Sequence, residues 1–266
     1  MKRRPPWGVA VPLGFTDITD RWIERSAERV PARFRLFCFP YAGGGARIFR
    51  HWAAELPFHV EICAIRLPGR EHRYSEPAFR RSEQVVDSLL PVLRQFLDLP
   101  FVMFGHSMGA LLAYEVTRGL LATAAVEPCA LFVSGHRAPH LPPRRRSLHF
   151  LPRDELIAEL KALNGTPAEV FQHQDLIDVV LPALRSDLEL VETYKAAGGP
   201  MLSCPVVAMG GTHDPDVLPE DIADWRATTE GPFKSMLLEG DHFFIHGAGA
   251  RFLPVLRREL VTLGLA

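Results

Sequence analysis

The sequence predicts an α/β protein: a mostly parallel central sheet covered by helices, with an all-helical segment inserted late in the chain. Three observations carry this. Short apolar runs alternate with stretches of helical periodicity, the pattern of a parallel sheet buried on both faces. One such run, Phe101 to Phe104, leads into Gly105-His-Ser107-Met-Gly109 and at once into a helix-compatible run through Val116. The alternation then stops between residues 136 and 201, where no convincing strand is found.

Length and charge narrow the class. A chain of 266 residues fits one domain with room for an inserted subdomain. The formal net charge of −1 argues against nucleic acid or an anionic membrane surface as the main partner. Cys38, Cys63, Cys129 and Cys204 lie in or beside strand-like runs, and none forms a Cys-x-x-Cys pair. Buried free thiols in a reducing compartment are expected, with no metal and no organic cofactor. Lys2-Arg3-Arg4 precedes a loosely apolar stretch, but prolines and Gly14 break it and no cleavage site follows. No run is long enough to span a bilayer. A cytoplasmic monomer is therefore expected.

The elements follow in order. Residues 1–20 read as a flexible arm, and Trp22 to Arg33 as a short lead-in. Arg35 to Phe39 is a strand that ends at Pro40-Tyr-Ala-Gly-Gly-Gly45. Ile48 to Leu56 is a short helix with Phe49, Trp52, Ala53 and Leu56 on one face. Val60 to Ile65 is the next strand, closing at Leu67-Pro-Gly-Arg-Glu-His-Arg73. A helix from about Ser82 to Leu97 leads to the strand at Phe101, and Cys129 to Ser134 is another strand. In the insertion, 136–201, a helix runs from Asp154 to Leu163 and stops at Asn164-Gly165-Thr166-Pro167. Two further helical runs, Asp175 to Leu181 and Ala183 to Tyr194, are separated by Pro182. The sheet resumes at Pro205 to Met209. A helix near Glu220 to Thr228, a strand at Phe233 to Leu238 and a helix from about Ala248 to Leu263 complete the chain.

Strand, Gly-x-Ser-x-Gly, helix is the context of a nucleophile elbow. The small residues let strand and helix approach closely, with Ser107 strained at the apex. A serine hydroxyl needs a base, and the base an orienting acid. In the α/β-hydrolase fold the chain order is Ser, acid, His. Asp214 and His242 each lie just past a strand end, where loops converge on one crevice. Asp216 is the rival acid. His246 and His213 are weaker alternatives, and His106 reads as a packed elbow residue. The Met108 N–H faces the place where an oxyanion would form, and the glycine loop after the early strand can supply a second donor. That loop has neither a dinucleotide fingerprint nor a P-loop lysine.

With these pieces in hand, the sequence closely resembles the type II, stand-alone thioesterases of polyketide and non-ribosomal peptide synthesis. The matching residues are Phe39-Pro-Tyr-Ala-Gly-Gly44, Leu67-Pro-Gly-Arg-Glu-x-Arg73, Gly105-His-Ser-Met-Gly109, Gly165-Thr-Pro167, Leu184-Arg-Ser-Asp187 with Glu192-Thr-Tyr194, Gly211-Thr-His-Asp-Pro215 and Gly240-Asp-His-Phe-Phe244. The resemblance implies hydrolysis of acyl thioesters on the phosphopantetheine arm of an acyl- or peptidyl-carrier protein, to remove stalled or incorrect groups. It also implies that the Ala42 N–H joins that of Met108 in the oxyanion hole. The family commonly has His at the place of Tyr41 and Gly at that of Asp241.

Three other readings compete. A general serine esterase would share the triad. A chain-releasing thioesterase is normally the last domain of a long synthase, whereas this chain starts at Met1. A binding-only hydrolase fold would not need Ser107, Asp214 and His242 together. The insertion is expected to be a mobile lid over an acyl pocket, flanked by core segments 21–135 and 202–266. Ile177, Val180, Leu181, Leu184, Leu188 and Val191 form a helical stripe, while Leu176, Val179 and Leu190 fall off it and imply a second buried surface. Arg144-Arg145-Arg146 are expected to steer an acidic carrier.

Overall fold

The computed structural model describes residues 15–27, 30–162, 172–246 and 252–265. Seven strands form one sheet: β1 (Ile23–Arg25), β2 (Phe34–Phe39), β3 (Val60–Ile65), β4 (Phe101–His106), β5 (Ala130–Ser134), β6 (Val206–Gly211) and β7 (Phe233–Leu238). Their spatial order is β1-β3-β2-β4-β5-β6-β7. All neighbouring pairs are parallel except β1 with β3. The architecture is that of an α/β-hydrolase, as the alternation predicted.

Strand geometry sends successive residues to opposite faces, and each face has its own core. Phe37, Met103 and Val133 pack on one side with α3 (Ser82–Leu93) and α4 (Met108–Ala124). Leu36, Phe104 and Phe132 pack on the other with α2 (Trp52–Glu55) and α8 (Phe252–Thr262). The apolar side chains at the centre of β2, β4 and β5 are fully enclosed. Strands buried on both faces need continuous apolar runs, and these three have them.

Several expectations require correction. The arm does not extend to residue 20, because Phe15–Trp22 is helix α1. Residues 1–14 lie outside the described part. Trp22 at its end is buried, stacks on Phe79 and lies 4.1 Å beneath the Arg73 guanidinium. These contacts hold the lead-in down and let Ile23–Arg25 pair antiparallel at the sheet edge, opposite Ile65–Cys63. A three-residue strand has too little periodicity to be seen in sequence. The helix expected at 48–56 is a 3₁₀ turn, Ala46–Phe49, followed by the four-residue α2. Cys129 is exposed, unlike Cys38, Cys63 and Cys204.

In the insertion, α5 (Arg153–Ala162) and α6 (Gln174–Glu192) pack on each other through Leu156, Leu160, Ile177, Leu181 and Leu184. The Gly165-Thr-Pro167 stop lies outside the described residues, as does the expected start of the last helix at Ala248. Pro182 does not divide α6. Its absent N–H removes one helical bond, but buried Ile177 and Leu181 before it and Leu184 after it hold both halves to one face. The expectation from the off-stripe residues was wrong in part. Leu176 and Val179 are exposed, while Leu190 enters the main core.

Candidate active site

The elbow is built by backbone crowding. Ser107 has φ 54° and ψ −123°, a region costly for a residue with a Cβ. The flanking glycines permit it. A Cβ on Gly105 would lie 1.9 Å from the Gly109 carbonyl oxygen, and one on Gly109 would lie 2.1 Å from that of Phe39. The Ser107 N–H donates to the Ser134 carbonyl of β5 at 2.7 Å, which anchors the turn to the sheet. Met108 opens α4, so its N–H is among the first-turn amides without an intrahelical acceptor.

The loops after β6 and β7 bring in the other two groups. His242 Nε2 is 3.0 Å from Ser107 Oγ. His242 Nδ1 is 2.6 Å from Asp214 Oδ2. The Asp214 carboxylate is enclosed, and its other oxygen accepts the N–H groups of Asp216 (2.9 Å) and Val217 (3.2 Å). An ionised carboxylate facing Nδ1 places the imidazole proton there and leaves the Nε2 lone pair for the serine hydroxyl. The two loops are tied to each other: the Thr212 N–H donates to the Leu238 carbonyl at 2.8 Å and that of His213 to Gly240 at 2.9 Å.

The rival residues are engaged elsewhere. The Asp216 carboxylate pairs with Arg145. His213 Nδ1 is 3.0 Å from Thr212 Oγ1, and His246 Nε2 is 3.0 Å from the Tyr41 hydroxyl. His106 is fully buried with Nδ1 3.0 Å from Ser134 Oγ, and burial drives its pKa well below the usual imidazole value. A neutral, packed ring is what an elbow residue requires. Tyr41 crosses edge-on to the rings of His106 and Phe243. Asp241 Oδ1 accepts the Phe243 N–H at 2.9 Å and braces the loop that bears His242.

Ser107, His242 and Ala42 line a cavity of about 270 Å³. Leu148, Leu160, Leu184, Leu188 and Val191, from the insertion, supply its apolar side. The chamber is thus lined by the helical stripe itself, not by the residues off it. Arg144, Arg145 and Arg146 also border it, but none stands as a free cation. Arg144 pairs with Asp221 at 3.0 Å, Arg145 with Asp216 and Arg146 with Glu159 at 2.7 Å. The steering role expected of them is corrected accordingly, since the acids beside them offset the field at the rim.

Two residues that sequence reasoning left without a role hold the glycine loop. Asp187 on α6 accepts the Gly43 N–H at 2.7 Å and is gripped by both terminal nitrogens of Arg70. Arg70 also donates to the Gly44 carbonyl at 3.1 Å. A carboxylate on the buried side of an otherwise apolar stripe was the available signal, because such a charge needs a partner.

The fold and this constellation define a serine hydrolase of the α/β type. A family model described as the thioesterase domain matches residues 34–257. The gramicidin S biosynthesis protein GrsT of Aneurinibacillus migulanus is 35% identical over 248 residues, 93% of this chain and 97% of that protein. RedJ, a thioesterase of the prodiginine pathway in Streptomyces coelicolor, superposes with a TM-score of 0.82 at 37% identity, over 88% of this chain and 95% of that one. BorB, a type II thioesterase from the borrelidin cluster, gives 0.81 at 33% identity, over 91% and 97%. The chain belongs to the thioesterase family.

Proposed function

We propose that this protein hydrolyses acyl thioesters borne on the phosphopantetheine arm of acyl- or peptidyl-carrier proteins, removing stalled or incorrect groups during polyketide or non-ribosomal peptide assembly. The observation that carries the reading is the Ser107–His242–Asp214 relay at the wall of an apolar chamber. The likeness to BorB and RedJ supports the pathway class.

Ser107 Oγ attacks the thioester carbonyl while its proton passes to His242 Nε2. The Ala42 and Met108 N–H groups receive the oxyanion. As the tetrahedral species collapses, the carbon–sulfur bond breaks and His242 returns the proton to the departing sulfur. Water, deprotonated by His242, then attacks the acyl-Ser107 ester. The free acid leaves and the serine regains its proton. Asp214 keeps the imidazole in the required tautomer throughout.

The segment 136–201 acts in this reading as a lid that moves to admit the acyl group. Its separate apolar cluster, Leu148, Leu156, Leu160, Ile177, Leu181 and Leu184, supports that role. The protein works as a cytoplasmic monomer on a carrier partner. Among the described residues no helix is long and apolar enough to cross a membrane.

The test is single-turnover hydrolysis of a radiolabelled acyl-carrier protein. Wild type should release free acid through a Ser107 adduct visible by intact mass. Ser107→Ala should cut turnover by about 10⁴ to 10⁶. Near-wild-type release by that variant would remove Ser107 from the reaction.

A further inference from the structure

The chamber wall holds two polar side chains that the reaction above does not use. His136 and Arg137 follow β5 directly and border the chamber together with Ser107 and His242. Gly135, at φ 59°, turns the chain out of the strand. Trp225 Nε1 then donates to the His136 carbonyl at 2.7 Å. The backbone of the pair is therefore held in place.

The two side chains offer opposite hydrogen-bonding halves. His136 Nδ1 lies 2.7 Å from the Arg137 carbonyl oxygen. A carbonyl can only accept, so the proton sits on Nδ1 and Nε2 keeps a lone pair. Burial pushes the imidazole pKa down to about 4, so the ring stays neutral at ordinary pH. Arg137 carries the donors. Its Nη2 reaches Asp221 Oδ1 at 3.3 Å. Its Nε and Nη1 are enclosed with no acceptor among the described residues. Asp221 is also engaged by others, with Arg144 donating to Oδ1 at 3.0 Å and the Leu218 N–H to Oδ2 at 2.9 Å. Unmet donors on an enclosed cation are costly.

Position narrows the ligand. Arg144, which shares Asp221 with Arg137, is 43% exposed and marks the rim. Leu160, Leu184 and Leu188, on α5 and α6, form an apolar part of the lining. An acyl chain belongs with the leucines, which leaves His136 and Arg137 in the same lining to meet a polar part of the substrate. A neighbouring acceptor and donor are the complement of a secondary amide, and the pantetheine arm carries two.

We propose that His136 and Arg137 form an amide-recognition subsite for the pantetheine arm. His136 Nε2 accepts an amide N–H, and the Arg137 guanidinium donates to the amide carbonyl. This rests on the reading that the thioester arrives on such an arm.

The experiment compares one acyl group on three thiols: pantetheine with two amides, N-acetylcysteamine with one, and ethanethiol with none. In wild type, kcat/KM should fall roughly tenfold for each hydrogen bond lost, mostly in KM. In His136→Phe and Arg137→Met the ratio between amide-bearing and ethyl thioesters should drop toward one. His136→Gln and Arg137→Lys, which keep an acceptor and a donor, should retain part of it. Fluorophosphonate labelling of Ser107 certifies that each variant has an assembled triad. A ratio that survives in the Phe and Met variants, or a wild type without preference, overturns the subsite. A wild type that cleaves no thioester overturns the thioesterase reading, and the subsite falls with it.

Discussion

Arg70 and Asp187, 117 residues apart, form a buried two-pronged ion pair with Nη1–Oδ2 at 2.6 Å and Nη2–Oδ1 at 2.7 Å. Together they take up the Gly43 N–H and the Gly44 carbonyl. The pair fastens α6 of the insertion to the loop after β3 and to the glycine loop. Removing one partner of a buried pair leaves the other charge uncompensated. Asp187→Ala should therefore lower stability by about 3–5 kcal/mol, read as a Tm lower by roughly 10 °C. Neither side chain takes part in the proposed proton transfers, so the folded variant should still hydrolyse thioester at low temperature. An unchanged Tm would show that the pair contributes nothing net.

The choice of acid is testable through the tautomer. Asp214→Asn should leave the fold intact but favour the wrong imidazole tautomer, with a loss on the order of 10⁴ in kcat. Asp216→Asn breaks only a partly exposed pair with Arg145 and should cost less than about tenfold. Steady-state kinetics of the two variants decide it, and the reverse ranking would reassign the acid.

The paired arginines lead to a negative expectation. A triple Arg→Ala variant at 144–146 should slow carrier and small-thioester hydrolysis alike, and the salt dependence of kcat/KM should keep its slope. A selective loss on carrier substrate with a flattened slope would restore the steering role.

Stability should fall on the acid side of neutrality. His136 and His106 are held below the ordinary imidazole range by burial. At pH below about 6.5 the unfolded chain binds protons at these groups that the native state refuses. The stability they contribute is complete above that pH and declines as the pH falls toward about 4 for His136. Glu76, lowered to about 2 chiefly by its hydrogen bond from Arg73, extends the decline below the usual carboxylate range. Thermal melts between pH 2 and 8 measure this. His136→Gln should make the curve shallower, and an unaltered slope would exclude His136 as a contributor.

Lid motion has its own observable. Amide exchange across α5 and α6 should be faster than in β2, β4 and β5, and should slow when an acyl-phosphonate occupies Ser107. Uniformly slow exchange without ligand would make the insertion a static wall.

The sequence by itself determined the class of fold, the succession of its main strands along the chain and the place of Ser107. Those features rest on short-range facts: runs of apolar residues, helical spacing, and glycines that let Phe39, Gly105 and Gly109 crowd together. The neighbourhood of the acid was legible as well, since Asp214 and Asp216 both stand past β6. Which carboxylate faces His242 was decided by the tertiary structure, which turns Asp214 inward and gives Asp216 to Arg145. The neutralised arginines, the Arg70–Asp187 clasp and the edge strand β1 were decided the same way. Each depends on a partner at least 13 residues away in the chain, and a charge or a three-residue strand carries no local mark of the partner it will meet.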